Sequence, residues 1–181
     1  MDPEARSGVR PGRGLTAEER NRLLVRIANE LDGTLNLEHL LGRLLDTLGE
    51  AVGYDAAGFF VLNREEVFPG YAVSWRKIAA TVRRGFDGPI DDVDRLLALG
   101  QGLVGHVLRT GEPAVAPDVA LDPRYVIGRP TTRSELAVPV CAGGRLVAVL
   151  NLESDTPAAY DLADAETLRL FADAAAIAVE K

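Results

Sequence analysis

The sequence predicts an α+β domain built on a mainly antiparallel sheet, and three observations carry that prediction. Two segments with apolar residues at helical spacing open the chain, at 15–33 and 36–54. Two apolar runs flank Gly143-Gly144, a pair suited to a tight hairpin turn. The segments that read as strands do not alternate with long helices as they would in a parallel βαβ sheet.

Residues 1–14 contain three arginines and almost nothing apolar, so they are expected to form a disordered tail. Thr16 and Glu19 have the spacing of a capping box, and Leu23, Leu24, Ile27, Ala28 and Leu31 form an apolar stripe that Asp32-Gly33 ends. Asn36 can cap the second helix, whose stripe runs through Leu37, Leu40, Leu41, Leu44, Leu45, Leu48 and Val52 to a stop at Gly53. "DAAGFFVLN" (55–63) then reads as a buried strand and "KIAATVRRGF" (77–86) as a second. Between them, "REEVFPGYAVSW" is an irregular connection with strand at its end, where Trp75 is expected to pack over an edge. "DDVDRLLAL" (91–99) reads as a short helix, and another covers 103–109, closed by Gly111. The segment 112–133 carries four prolines and reads as extended chain and loop. After the hairpin at 134–154, Asp161 caps a last helix that is apolar nearly all round, so it must be covered on more than one face.

Composition narrows the function. With 47% hydrophobic and 26% charged residues the chain is globular, and a net charge of −7 argues against a general nucleic-acid binder. No apolar run is long enough to span a membrane, and the use of a single cysteine fits a reducing compartment, so a cytoplasmic protein is expected. A single cysteine, Cys141, excludes an internal disulfide and a cysteine-based metal cluster; lying in an apolar strand, it is expected to be buried and inert.

Gly100-Gln101-Gly102-Leu103-Val104-Gly105 spells G-x-G-x-x-G, the fingerprint of a dinucleotide turn. Its context is wrong. A dinucleotide turn follows a strand, whereas the preceding "IDDVDRLLAL" has helical spacing, and the following "PAVAPDV" carries two prolines. The glycines are expected instead to let a short helix enter tightly against the sheet.

"GQGLVGHVLRTGEPAVAPDVALDPRY", "TRSELAVPV", "GRLVAVLNLES" and "LRLFADAAAIAVEK", in this order, resemble GAF domains, the small-molecule-sensing modules of signalling proteins. The resemblance covers roughly residues 17–181. It implies a GAF-like (profilin-like) six-stranded antiparallel sheet with helices on both faces. The first two helices and the last would pack on one face, and loops and short helices on the other would enclose a ligand. The flavour is that of modules fronting bacterial sensor histidine kinases of two-component systems and serine phosphatases that regulate sigma factors. A homodimer through the first and last helices is expected. Because the last helix reaches Lys181 without a stop signal, it is expected to continue into an effector domain.

Family members differ in chemistry. The enzymatic relative, free methionine-(R)-sulfoxide reductase, needs one thiolate to attack the sulfoxide and a second thiol to resolve the product. The resemblance places those cysteines where this chain has Val104 and the loop "YVIGRPTTR", so no enzymatic activity is expected. Glu135, Asn151 and Glu153 fall where that enzyme keeps polar and acidic groups. The cyclic-nucleotide signature is incomplete, since the lysine is missing and Ala165 replaces the glutamate. Haem would need an axial ligand, and the histidines are His39, off the second helix's stripe, and His106, which the resemblance places facing the ligand. Candidate ligand-contact residues are therefore Phe59, Val61, His106, Asp118, Arg124, Tyr125, Arg133, Glu135 and Asn151. Each has an alternative role: Asp118 as a turn cap, Arg124 and Arg133 as partners for Asp118 and Glu135, Tyr125 as a lid on the core, His106 in a hydrogen bond to backbone. No metal site or catalytic residue is expected, and the ligand is an unidentified small molecule.

Overall fold

A computed structural model describes residues 15–31, 36–62, 78–87 and 100–180. The proposed tail at 1–14, the helix stop at Asp32-Gly33, the connection at 64–75 with Trp75, and the short helix at 91–99 lie outside the described residues.

Helix α1 (Ala17–Leu31) starts at the predicted capping box: the Glu19 amide donates to the Thr16 hydroxyl (3.2 Å), and the Thr16 amide donates to the Glu19 carboxylate (2.8 Å). Helix α2 (Leu37–Ala51) is capped by Asn36, which accepts from the His39 amide, and it unwinds at Gly53, whose φ is 81°. Helix α3 (Gly102–Thr110) closes on Gly111 with φ 72°. Helix α4 (Leu162–Glu180) is held at its start by Asp161, whose carboxylate accepts from the amides of Ala163 and Asp164.

Strands β1 (Ala56–Leu62), β2 (Ile78–Arg84), β3 (Ala114–Ala116), β4 (Ser134–Ala142) and β5 (Arg145–Ser154) form one antiparallel sheet in the order β2-β1-β5-β4-β3. The described sheet thus has five strands, not the six expected. The β4–β5 turn places Gly143 at φ 55° and Gly144 at φ 76°, as a two-residue hairpin requires.

Strand alternation sorts the sheet into two faces. Leu136, Val138, Ala148, Leu150, Leu152, Ala57, Phe59, Val61 and Val82 point to a large core shared with α1, α2 and α4. The opposite face carries Ala137 and Val149, which pack with Leu103 and Val107 of α3, Ala114 and Ala116 of β3, and Val119. α4 is covered as its composition demands: Leu168, Phe171, Ala172 and Ala175 are buried.

Two expectations need correction here. Phe59 and Val61 belong to the helix-side core, so on β1 the opposite face is carried by their neighbours Gly58 and Phe60. Cys141 is exposed, because β4 runs out beyond its cover near the hairpin and presents its last residues alternately to the core and to solvent.

Candidate functional site

The glycine run shapes the entrance to α3. Gly100 and Gly102 adopt φ of 62° and 73°, and a Cβ on Gly105 would stand 2.6 Å from the carbonyl carbon of Gly100. The chain therefore folds back on the first turn of its own helix, which only hydrogen side chains permit. This places α3 over the sheet face opposite the helix layer, with His106 half-buried on it.

On that face, register creates a buried polar cluster. Glu135 of β4 lies directly across from Glu153 of β5, and Asn151 lies across from Ala137 and Gly58. Residues 135, 151 and 153 share one side of the sheet because each is an even number of positions from Ala137 or Val149. All three are buried, at 5%, 2% and 5% exposure, together with Thr132. The Asn151 amide stands between the carboxyls, 2.9 Å from Glu135 Oε1 at one end and 3.3 Å from Glu153 Oε1 at the other. The Thr132 hydroxyl donates to Glu153 Oε2.

Burial dominates the electrostatics. Loss of water raises the Glu135 carboxyl well above the usual carboxylate range, and the neighbouring Glu153 charge adds to it. Glu153 is raised by burial too, opposed by the Thr132 hydrogen bond and by Arg129.

The loop after β3 covers the cluster. Asp122 holds Arg124 in a two-pronged ion pair (Nε–Oδ1 2.9 Å, Nη2–Oδ2 2.6 Å), and the same guanidinium donates to the Val115 carbonyl. The hydrogen bonds from the Arg124 guanidinium hold the Asp122 carboxyl below its ordinary value. Tyr125 packs against the small core, and its hydroxyl donates weakly to the Arg129 carbonyl at 3.4 Å. Burial pushes it up to about 12, with Glu153 and Glu135 contributing. Arg129 is fixed by Asp155 at 2.5 and 3.1 Å. On α3, His106 Nδ1 faces the Arg109 guanidinium at 3.3 Å, which assigns Nδ1 as acceptor and the ring proton to Nε2 in the neutral form. Burial lowers the His106 imidazole, and Arg124 and Arg109 lower it further.

The structure thus gathers His106, Arg124, Tyr125, Glu135 and Asn151 around one face. Asp118 instead caps the 3₁₀ turn Val119–Leu121 by accepting from the Ala120 amide, and it pairs with Arg133 at 3.5 Å. Phe59 and Val61 are turned away. Glu153, Thr132 and Asp122 are the site residues missing from the candidate set. Glu153 was within reach of the strand period, being two residues from Asn151. Thr132 and Asp122 lie in loop, where no period announces a face. Among the described residues no cluster of three or more His, Cys, Asp and Glu is placed to hold a metal ion, and no helix is long and apolar enough to cross a membrane.

Comparisons with known proteins agree with this architecture. The sequence profile of the GAF domain family matches residues 34–180. GAF domain-containing protein A of Dictyostelium discoideum is 24% identical over 156 residues, covering 86% of this chain and 89% of its own. The GAF domain of an Acinetobacter phosphoenolpyruvate-protein phosphotransferase superposes with a TM-score of 0.70 at 17% identity, covering 92% of this chain and 95% of that one. The type II free methionine-R-sulfoxide reductase of Thermoplasma acidophilum superposes with a TM-score of 0.59 at 26% identity, covering 80% and 96%. This last similarity corrects the expectation of a chain without enzymatic activity: a protein that shares this fold over 96% of its own length is an enzyme, and a missing cysteine pattern does not outweigh that likeness. A profile match over most of the chain, with a helix-backed antiparallel sheet that superposes on GAF domain structures, shows that the chain belongs to the GAF domain family.

Proposed function

We propose that this chain is a sensory GAF module that binds a small polar molecule against the sheet face of Glu135, Asn151 and Glu153, beneath the loop of Arg124 and Tyr125, and relays occupancy to an attached effector. The observation that carries this reading is the burial of three polar side chains, two of them carboxyls, on a sheet face whose other buried strand residues are apolar or glycine. Buried polar groups cost stability unless partnered, and perturbed carboxyls collected under a loop mark functional sites. The cations near the cluster, Arg124 and Arg129, are engaged by Asp122 and Asp155. The face therefore favours a ligand that presents hydrogen-bond donors or a positive group. Thermal-shift screening with amino acids, polyamines, nucleotides and small dicarboxylates tests it. Donor-rich or cationic compounds should raise Tm in the wild type and not in Asn151→Leu; no shift across the panel would sink the reading.

The relay would run through the helix layer. Leu24 and Val25 of α1 and Ile177 of α4 are exposed at 42, 62 and 52%, and a homodimer joining these helices would cover them.

The reductase similarity supports a second reading, reduction of free methionine-(R)-sulfoxide. Attack by the exposed Cys141 thiolate would release methionine and leave an oxidised sulfur. With no second cysteine in these 181 residues, the resolving thiol must come from outside them. Turnover with a dithiol reductant, abolished in Cys141→Ser, is the outcome that would establish it.

A further inference from the structure

The contacts of Asn151 set a condition on the protons of the cluster. A side-chain amide has one donor end and one acceptor end. One end of Asn151 lies 2.9 Å from Glu135 Oε1 and 3.3 Å from the Leu136 carbonyl, and the other lies 3.3 Å from Glu153 Oε1. If the NH2 group faces Glu153, the amide oxygen meets Glu135, and that contact is a hydrogen bond only when Glu135 carries a proton. If the NH2 group faces Glu135 and Leu136, the amide oxygen meets Glu153, which must then carry the proton. With both carboxyls ionised, one always opposes the amide oxygen without a hydrogen between them. At this depth such an arrangement forfeits a hydrogen bond and adds repulsion.

We infer that Glu135, Asn151 and Glu153 form a proton-sharing triad, a pH-sensitive switch in the floor of the proposed ligand site, holding one carboxylic acid and one carboxylate at neutral pH. The orientation of the Asn151 amide follows the proton: toward Glu153 when Glu135 is the acid, toward Glu135 when Glu153 is. Thr132, donating to Glu153 Oε2, favours the charge on Glu153. Other charged and titratable groups face the pair from the neighbouring elements. From the covering loop come Asp122, Arg124, Tyr125 and Arg129, and beyond β5 comes Asp155. Arg124 and Arg129 favour ionisation, but each is engaged by its own aspartate. Asp122 and Asp155 oppose it. Burial of both carboxyls points the same way. Loss of the shared proton at higher pH would place two charges across one strand pair and open the site to a cationic donor in its stead. That last consequence rests on the small-molecule reading above; the triad itself does not.

The test uses unliganded protein with 13C at the glutamate side-chain carboxyls. Infrared difference spectra at neutral pH should show a carboxylic-acid stretch in the wild type. Glutamine mimics a protonated glutamate in shape and donor capacity, so each of Glu135→Gln and Glu153→Gln supplies the donor that the amide oxygen needs. The acid band should therefore disappear in both variants, although each retains one of the two carboxyls. Carbon NMR should show the surviving carboxyl titrating closer to the ordinary glutamate range than Glu135 does in the wild type. Absence of the band in the wild type overturns the triad even if neither variant folds. Persistence of the band in either folded variant overturns it too, since the two groups would then hold protons independently. A ligand screen that fails leaves both readouts intact, so the two readings fail separately.

Discussion

Gly105 stands where a methyl group would lie 2.6 Å from the Gly100 carbonyl carbon, and backbone cannot yield as a flexible side chain can. Gly105→Ala should therefore force the turn at Gly100 off the first turn of α3 and destabilise the protein by about 1–3 kcal/mol, read as a lowered midpoint in urea. Asp161 acts on a smaller scale. It accepts two amide hydrogens at the start of α4, and its own amide donates to Asp164 Oδ2 at 2.9 Å. Asp161→Ala should cost about 1 kcal/mol, and Asp161→Asn should recover most of it, because asparagine caps nearly as well. Both residues could be named from the sequence, one by the glycine spacing and one by its place before an apolar helix. The contact that makes Gly105 obligatory appears only when the chain closes on itself.

The elements divide the work between the two sheet faces. α1, α2 and α4 bury leucines and alanines on one side, and this layer holds most of the apolar burial. Leu168, fully buried in α4, should cost about 2–5 kcal/mol when cut to alanine, measured by equilibrium unfolding. The same layer ties to the sheet edge through Arg84, whose Nε donates to Asp46 of α2 at 2.8 Å. Both partners are substantially exposed, so Asp46→Ala should change stability by less than about 1 kcal/mol. Among the described residues, the α3 face carries a smaller core of seven small and medium residues, and the buried polar cluster lies beside it. Loss of side chains there is expected to alter ligand response more than stability.

At the scale of the whole molecule, two carboxyl groups with opposite shifts predict the pH profile. Asp122 is depressed by Arg124, so its contribution is present above its unfolded value and is lost as pH falls through the folded one. The wild-type advantage over Asp122→Asn should shrink below about pH 4. Glu135 is raised, so the folded state binds the extra proton. Its contribution is complete below the unfolded value and is lost as pH rises toward the folded one. Glu135→Gln, which cannot ionise, should therefore gain on the wild type in denaturant titrations as pH rises above the ordinary glutamate range. The proposed dimer belongs to this scale as well. Light scattering should give twice the chain mass, and charged substitutions at Leu24, Val25 and Ile177 together should halve it while circular dichroism stays unchanged.

The two opening helices, the Gly143-Gly144 hairpin, the caps at Thr16, Asn36 and Asp161 and the close entry of α3 were determined by sequence alone, because each rests on contacts within a few residues or on a short period. Strand direction was legible too, but not its facing. Phe59 and Phe60 are equally apolar and equally buried, so nothing in the run "AAGFFVL" says which side meets the helices. Pairing with β2 and β5 decides it, and with it which residues can reach a ligand. The site has the same origin. Glu135 and Glu153 are 18 positions apart with a hairpin between them, and only the register of β4 against β5 sets them opposite each other. Tertiary structure alone brings Thr132, Asp122 and Arg124 over them, because a loop carries no period from which its neighbours can be read.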